Sequence, residues 1–227
     1  MPETTSLFNK IAKHYDSLNT LFSFGMDKLW RKKLVEQISG SHLILDIATG
    51  TGEVAIETVK KLEGSMVIGI DPSAQMLSFA KKKCETIQYR DKISLVQGYA
   101  ENLPFENDKF DAITIAFGIR NTVNPLQSLK EMNRVLKTGG IVAILEFTIP
   151  KNAIFAPIYL FYFKKFLPFI GSFFGSKKEY KYLSDSTSEF PQREAFLKLM
   201  KEARFEAKES IELMIGTVII YSGIKKL

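Results

Sequence analysis

The stretch LILDIATGTGEVAI, Leu43 to Ile56, restricts the fold more than any other part of this chain. A short apolar run reaches Asp46, a glycine-rich turn follows, and helical apolar spacing then begins at Val54, Ala55, Thr58, Val59 and Leu62. That is the pattern of a buried strand, a tight loop and a helix. The pattern repeats: 65–71, 93–98, 110–118 and 141–149 read as further strands, and 74–89 and 124–140 as amphipathic helices, with Ser73 as an N-cap. Strands separated by helices of this length predict an α/β domain with a mostly parallel sheet and helices on both faces. A helix over 191–205 and two β-like runs around Gly216 predict a closing antiparallel pair, for a sheet of seven strands. The 227 residues then form a single domain: an N-terminal helical cap (1–41), a ligand-binding core (42–149), an aromatic-rich insertion (150–190) and a C-terminal helix with strands (191–227).

Composition removes several function classes. One cysteine, Cys84, and two histidines, His14 and His42, supply neither a disulfide framework nor a zinc site, so no metal is expected. The first residues, MPETTSLFNKIAKHYD, lack the apolar run of a secretory signal, and a reducing cytoplasm is the expected location. A net charge of +6 suggests an anionic partner, with nucleic acid and anionic lipid both open on charge alone.

The glycine loop admits two ligands. Gly50-Thr51-Gly52-Glu53-Val54-Ala55 fits the G-x-G-x-x-G/A fingerprint of dinucleotide enzymes, in which a pyrophosphate sits on the helix N-terminus. Asp46, at the end of the first strand, argues against phosphate and for a cationic ligand. S-adenosylmethionine carries an ammonium that a carboxylate holds by a charge-assisted bond. Asp71, at the end of the second strand, is placed to accept both hydroxyls of its ribose.

The following stretch, VQGYAENLPFENDKFDAITIAFGIRN, resembles the class I S-adenosylmethionine-dependent methyltransferases. That resemblance implies a Rossmann-like fold and places Tyr99, Ala100 and Glu101 against the adenine. Many members have an acid at the Tyr99 position, so here the adenine contact is expected from the backbone of Tyr99-Ala100. Ala48 replaces the first motif glycine, and Ala116 stands near the cofactor where some members have serine. HYDSLNTLFSFGMDKLWRK (14–32), ITIAFGIRN (113–121) and RVLKTGGIVAILEF (134–147) are similar to signatures of one family within the class. These are the quinone-ring C-methyltransferases of menaquinone and ubiquinone biosynthesis, and the likeness covers essentially the whole chain. Asp27 departs from the usual histidine, Leu18 from a frequent methionine, Thr138 from proline and Thr148 from serine.

The resemblance implies methylation of a ring carbon in a prenylated quinol, with demethylmenaquinol favoured over a benzoquinol precursor of ubiquinone. Such chemistry needs alignment, exclusion of water and removal of one phenolic proton. Residues just past the fourth strand should meet the acceptor, because ligands gather at the C-terminal edge of such sheets. Arg120 is placed there to stabilise phenolate charge or fix a water, and Asn121 to bond the second ring oxygen. Tyr15 and Asp16 sit in helices that can fold over the ligand, and His14 is a weaker candidate base. The competing readings are ordinary: Arg120 paired with some acid, Asn121 as a helix cap, Tyr15 and Asp16 as packing and capping residues, Glu146 as structural. A dehydrogenase lacks a Tyr-x-x-x-Lys pair to move a proton, and an RNA methyltransferase lacks an Asn-Pro-Pro-Tyr motif or an exposed aromatic-basic platform, so no nucleic acid is expected. The segment 153–175 is dense in large apolar groups, among them Ile154, Phe155, Ile158 and Phe161, interrupted by Lys164 and Lys165. It reads as a peripheral, membrane-facing lid rather than a spanning helix, or as a helical insertion packed on the sheet or at the interface of a homodimer.

Overall fold

The computed structural model describes residues 5–6, 9, 12, 15–162, 182 and 185–226. His14 and the 163–175 part of the aromatic segment, including Lys164, Lys165, Phe166, Phe169, Phe173 and Phe174, lie outside the described residues. In chain order the elements are α1 (Tyr15–Phe22), α2 (Asp27–Glu36), β1 (Leu43–Ile47), α3 (Glu53–Lys61), β2 (Met66–Asp71), α4 (Ala74–Glu85), β3 (Ile93–Gln97) and β4 (Phe110–Ala116). Then come α5 (Pro125–Val135), β5 (Leu136–Phe147), α6 (Phe155–Phe161), α7 (Glu194–Glu202), β6 (Phe205–Ala207), β7 (Ile211–Leu213) and β8 (Val218–Lys225).

The strands form one sheet in the order β3-β2-β1-β4-β5-β8-β6, with β7 also on β8. Strands β1 to β5 pair in parallel, and β8 runs antiparallel to β5. Side chains alternate across the sheet and feed two cores. Leu45, Ile113, Ile115, Ile219 and Tyr221 pack with Leu129 and Met132 of α5 and Phe196 of α7. Ile44, Ala112, Val218 and Ile220 face the other way, onto Trp30 and Leu34 of α2 and Val54 and Ala55 of α3. Burial on both faces explains why the central strands read as continuous apolar runs.

Three boundaries differ from the sequence reading. Among the described residues there are eight strands, yet they fill seven positions, because β6 and β7 share the outer edge of β8 at its two ends. Phe205, the first residue of β6, was expected as the end of a helix; Arg204, at φ 66, turns the chain out of α7 without a glycine to mark the stop. Helix α5 stops at Val135 rather than at the Gly139-Gly140 pair, since the backbone N–H groups of Asp108 and Lys109 already cap the carbonyls of Arg134 and Val135. Leu136 then joins β4 opposite Phe110, and the register shifts before Ile141 pairs with Ala112. Ser73 is the N-cap of α4 as expected, its hydroxyl accepting from Met76 N at 3.0 Å.

Candidate active site

Strand order reverses about β1 and β4, and a cleft opens beyond their C-terminal ends, where α/β sheets gather ligands. The loop after β1 shapes one wall. Ala48, Gly50 and Gly52 take left-handed backbone at φ 51, 56 and 84, which glycine adopts freely and alanine at some cost. Thr49 is held between them, donating to Asp46 Oδ2 at 2.6 Å, while Gly50 N donates to Asp71 Oδ2 at 2.9 Å. The two acids at the ends of neighbouring strands thus fasten the loop from below and from the side. Gly118, after β4, admits the loop closely: a Cβ there would meet the Ala48 Cβ at 2.5 Å.

Tyr15, Gly50, Asp71, Tyr99, Ala100, Ala116 and Asn121 line the cleft together, with Ile47, Ile70, Met76, Glu101 and Phe117 among their neighbours. Asp16, Asp46, Thr51, Gly52 and Arg120 do not line it. Among the described residues the lining contains two carboxylates, Asp71 and Glu101, and no lysine or arginine. A dinucleotide pyrophosphate would meet repulsion there. A neutral nucleoside bearing a cationic tail would not.

Asp71 is nearly buried; its Oδ1 accepts from Ser73 N at 2.8 Å and its Oδ2 from Gly50 N. Burial raises its carboxyl above the usual carboxylate range, and the two backbone bonds oppose that shift. Each oxygen keeps a further lone pair toward the cleft. Asp46 is only 1% exposed, and both of its oxygens accept threonine hydroxyls, from Thr49 and, at 2.8 Å, from Thr114. Burial pushes its carboxyl up to about 6 against those bonds. Asp46 lies outside the cleft lining, so direct contact with a ligand would need the loop above it to move.

Asp16 sits outside the cleft as a latch. It accepts from Thr51 Oγ1 at 2.6 Å and pairs with Lys83, which also bonds Glu53 at 2.7 Å. With Ser73 Oγ donating to Asn9 at 2.5 Å, these contacts hold the N-terminal segment over the cofactor loop. That hold keeps Tyr15 in the cleft wall. Burial raises the Tyr15 hydroxyl above its ordinary range, while a hydrogen bond with Asn19 and the charge of Arg120 work the other way. Asp27, at the position where histidine was expected, is buried, accepts from Ser23 Oγ at 3.0 Å and pairs with Arg31.

Arg120 turns away from the lining. Its side chain is 4% exposed, and the guanidinium bonds Phe117 O at 2.8 Å, lies over the Phe147 ring at 5.5 Å and pairs with Glu146. Glu146 is 1% exposed, and burial raises its carboxyl while Arg120 opposes the rise. The pair leaves Arg120 Nε and Glu146 Oε2 buried with no partner among the described residues. Asn121 is fixed at both ends of its amide: Nδ2 donates to Phe117 O at 3.1 Å, and Oδ1 accepts from Tyr182 OH at 3.2 Å. The helix cap that was the competing reading of Asn121 is supplied by Asn124 instead, which accepts from Gln127 N at 3.0 Å.

Sequence reasoning did not single out Tyr182 and named no partner for Arg120, which the structure gives as Glu146. Tyr182 lies in the aromatic insertion, where nothing distinguishes one tyrosine from its neighbours. Glu146, the acid in an otherwise apolar strand, was itself a signal: a buried charge needs a partner.

The sheet order and the cleft at its C-terminal edge define the class, a Rossmann-like class I methyltransferase fold. A S-adenosylmethionine-dependent methyltransferase of Aquifex aeolicus superposes with a TM-score of 0.63 at 16% identity, over 92% of this chain and 97% of that one. A geranyl diphosphate methyltransferase solved with S-adenosylmethionine gives 0.63 at 14% identity, over 87% and 85%. Sequence similarity goes further. The ubiquinone/menaquinone biosynthesis C-methyltransferase UbiE of Geotalea daltonii is 44% identical over 96% of this chain and 94% of its own length. The demethylmenaquinone methyltransferase of Chlorobaculum tepidum is 40% identical over 97% and 91%. The ubiE/COQ5 methyltransferase family matches residues 3–225, and the chain belongs to that family.

Proposed function

We propose that this enzyme methylates a ring carbon of a prenylated quinol from S-adenosylmethionine, with demethylmenaquinol as the acceptor. The observation that carries the cofactor half is the cleft lining, two carboxylates and no cation among the described residues. Bound there, the sulfonium supplies an electrophilic methyl group. Asp71 accepts the ribose hydroxyls on lone pairs its backbone bonds leave over, and the Tyr99-Ala100 turn receives the adenine. Gly50, Thr51 and Gly52 set the loop against the methionine portion, and Asp46 sustains it through Thr49 with its charge beneath.

Tyr15 and Asn121, which both line the cleft, orient the quinol oxygens. Arg120 and Glu146 lie behind Asn121 and retain one donor and one acceptor for a ring hydroxyl or a relaying water. Through them the pair takes up the phenolic proton and the charge that drives the ring carbon onto the methyl group. The latched N-terminal segment excludes water from this contact, and alignment of this kind is worth about 7–11 kcal/mol of barrier. The printed name of the Chlorobaculum relative supports a naphthoquinol acceptor, while that of the Geotalea relative keeps a benzoquinol as the second reading. No helix among the described residues is long and apolar enough to cross a membrane. A peripheral place on the cytoplasmic face, where a prenylated quinol resides, is part of this reading.

Titration calorimetry tests the cofactor half: S-adenosylmethionine should bind and NADH should not, and the reverse would remove the proposal. Tyr182→Phe tests the role given to Asn121. Loss of the hydroxyl frees one end of the Asn121 amide, a bond worth about 0.5–1.5 kcal/mol. Turnover should fall about threefold to tenfold with cofactor affinity unchanged, and the same change in an Asn121→Ala background should do nothing further. Additive losses in the double variant would separate the two residues.

A further inference from the structure

Phe117 follows β4 directly and takes left-handed backbone, at φ 55. A bulky side chain is rarely found there, and a glycine stands next to it. That glycine does not relieve the turn, because Gly118 has φ −110, a value open to any residue. Gly118 is needed for a different reason, the close approach of Ala48, whose Cβ a side chain at 118 would strike. The disfavoured backbone therefore falls on the one residue of the pair that carries a ring.

The N–H of Phe117 still belongs to the sheet and donates to Leu145 O at 2.8 Å. Its carbonyl has left the ladder. It accepts from Arg120 Nη1 at 2.8 Å and from Asn121 Nδ2 at 3.1 Å, which fills both lone pairs. The left-handed turn aims this one oxygen at both side chains. The ring opposes relaxation of the turn. It stacks on Phe147 of β5 with centroids 4.3 Å apart and meets Trp30 of α2 edge-on at 6.1 Å, while Phe147 also lies under the Arg120 guanidinium. Backbone of this kind persists where the surroundings over-determine it, and it clusters at functional sites.

We propose that Phe117 is a positioning residue for methyl transfer: its ring locks a strained turn whose carbonyl holds Arg120 and Asn121 in a fixed relation to each other beside the cleft. The proposal rests on the acceptor-orienting roles given above to Arg120 and Asn121. Without that oxygen Arg120 keeps Glu146 and Asn121 keeps Tyr182, so each remains anchored. The spacing between them is what is lost.

Phe117→Gly and Phe117→Ala test it as a pair. Both remove the ring, so their difference reads the backbone. Glycine adopts left-handed backbone freely and leaves the carbonyl in place, whereas alanine gains by relaxing to negative φ, which swings the carbonyl away. Turnover should be about tenfold lower in Phe117→Ala than in Phe117→Gly, with both below wild type and S-adenosylmethionine affinity alike in the two. A ring that only fills space predicts the reverse order, since alanine retains more packing and a stiffer chain. The Asn121 side-chain amide gives a reading that needs no acceptor. Assigned by its loss from the magnetic-resonance spectrum of Asn121→Ala, it should exchange with water faster in Phe117→Ala than in Phe117→Gly. At Arg204 (φ 66), beside the opposite edge of the sheet, the same two substitutions should move the melting temperature and leave turnover alone. Equal turnover in the two Phe117 variants, or alanine above glycine, overturns the proposal, as does an Asn121 amide held alike in both. A turnover gap of the same size at Arg204 also overturns it, making the effect one of general stability. Failure of wild type to methylate the quinol counts against the quinol reading alone and leaves the amide exchange to decide this one.

Discussion

Arg120→Ala should lower turnover about 10²–10³-fold, the order reached when an oriented donor to developing negative charge is removed, about 2.7–4 kcal/mol. The structure adds a second consequence that position in the sequence did not reveal. Glu146, paired with Arg120 in the core, would be left as a buried carboxylate without its cation. Breaking such a pair from one side costs about 3–5 kcal/mol of stability, so the melting temperature should fall as well. The pH dependence gives the sign. Burial already holds the Glu146 carboxyl above its unfolded value, and Arg120 works against that rise. Without Arg120 the folded chain keeps its extra proton to higher pH. Stability should therefore decline more steeply in the variant as pH climbs from the ordinary carboxylate range through the raised value. Arg120→Lys separates the two effects. It keeps the charge beside Glu146 and most of the stability, yet one ammonium cannot reproduce both the Phe117 contact and the spare Nε donor. Turnover should recover only in part, with S-adenosylmethionine affinity close to wild type. Near-normal turnover in Arg120→Ala would confine the pair to structure and move the proton chemistry elsewhere.

Asp71→Ala should weaken S-adenosylmethionine binding by about 1.5–3 kcal/mol, the usual worth of hydrogen bonds to a charged group. The loss has two sources, the ribose contact proposed for the carboxylate and the loop contact seen at Gly50 N. Asp71→Asn distinguishes them. An amide retains one acceptor for Gly50 or Ser73 but surrenders the charge, so loop geometry and melting temperature should stay near wild type. Affinity should still fall by the larger part of the alanine effect. Calorimetry on both variants reads the difference. An asparagine variant that binds like wild type would assign Asp71 to holding the loop, not the ribose.

The central strands and the loop at Gly50 were legible because local pattern controls them. Ile44, Leu45 and Ile47 are buried on both sheet faces, so β1 appears as an apolar run whatever surrounds it. The position of Asp71 at a strand end follows from the same pattern. Partnerships across the chain do not. Arg120 was placed correctly past β4, but its turn toward Glu146, on the neighbouring strand, depends on side-chain packing that no spacing encodes. Asp16 beside Tyr15 looked equivalent to it, yet helix geometry points one into the cleft and the other at Lys83 and Thr51. Strand β6 was missed because three residues are too few to show alternation, and Arg204 hides the helix stop. Local pattern fixes which end of a strand a residue occupies. Tertiary contact fixes what it touches.

The most direct test of the account is methyl transfer itself. The purified chain would be given methyl-labelled S-adenosylmethionine with demethylmenaquinol and, separately, with a demethylated benzoquinol precursor. The account predicts label bonded to a ring carbon of the naphthoquinol, with slower transfer to the benzoquinol. Label on a quinol oxygen, or none on either ring from protein that binds S-adenosylmethionine, would contradict it.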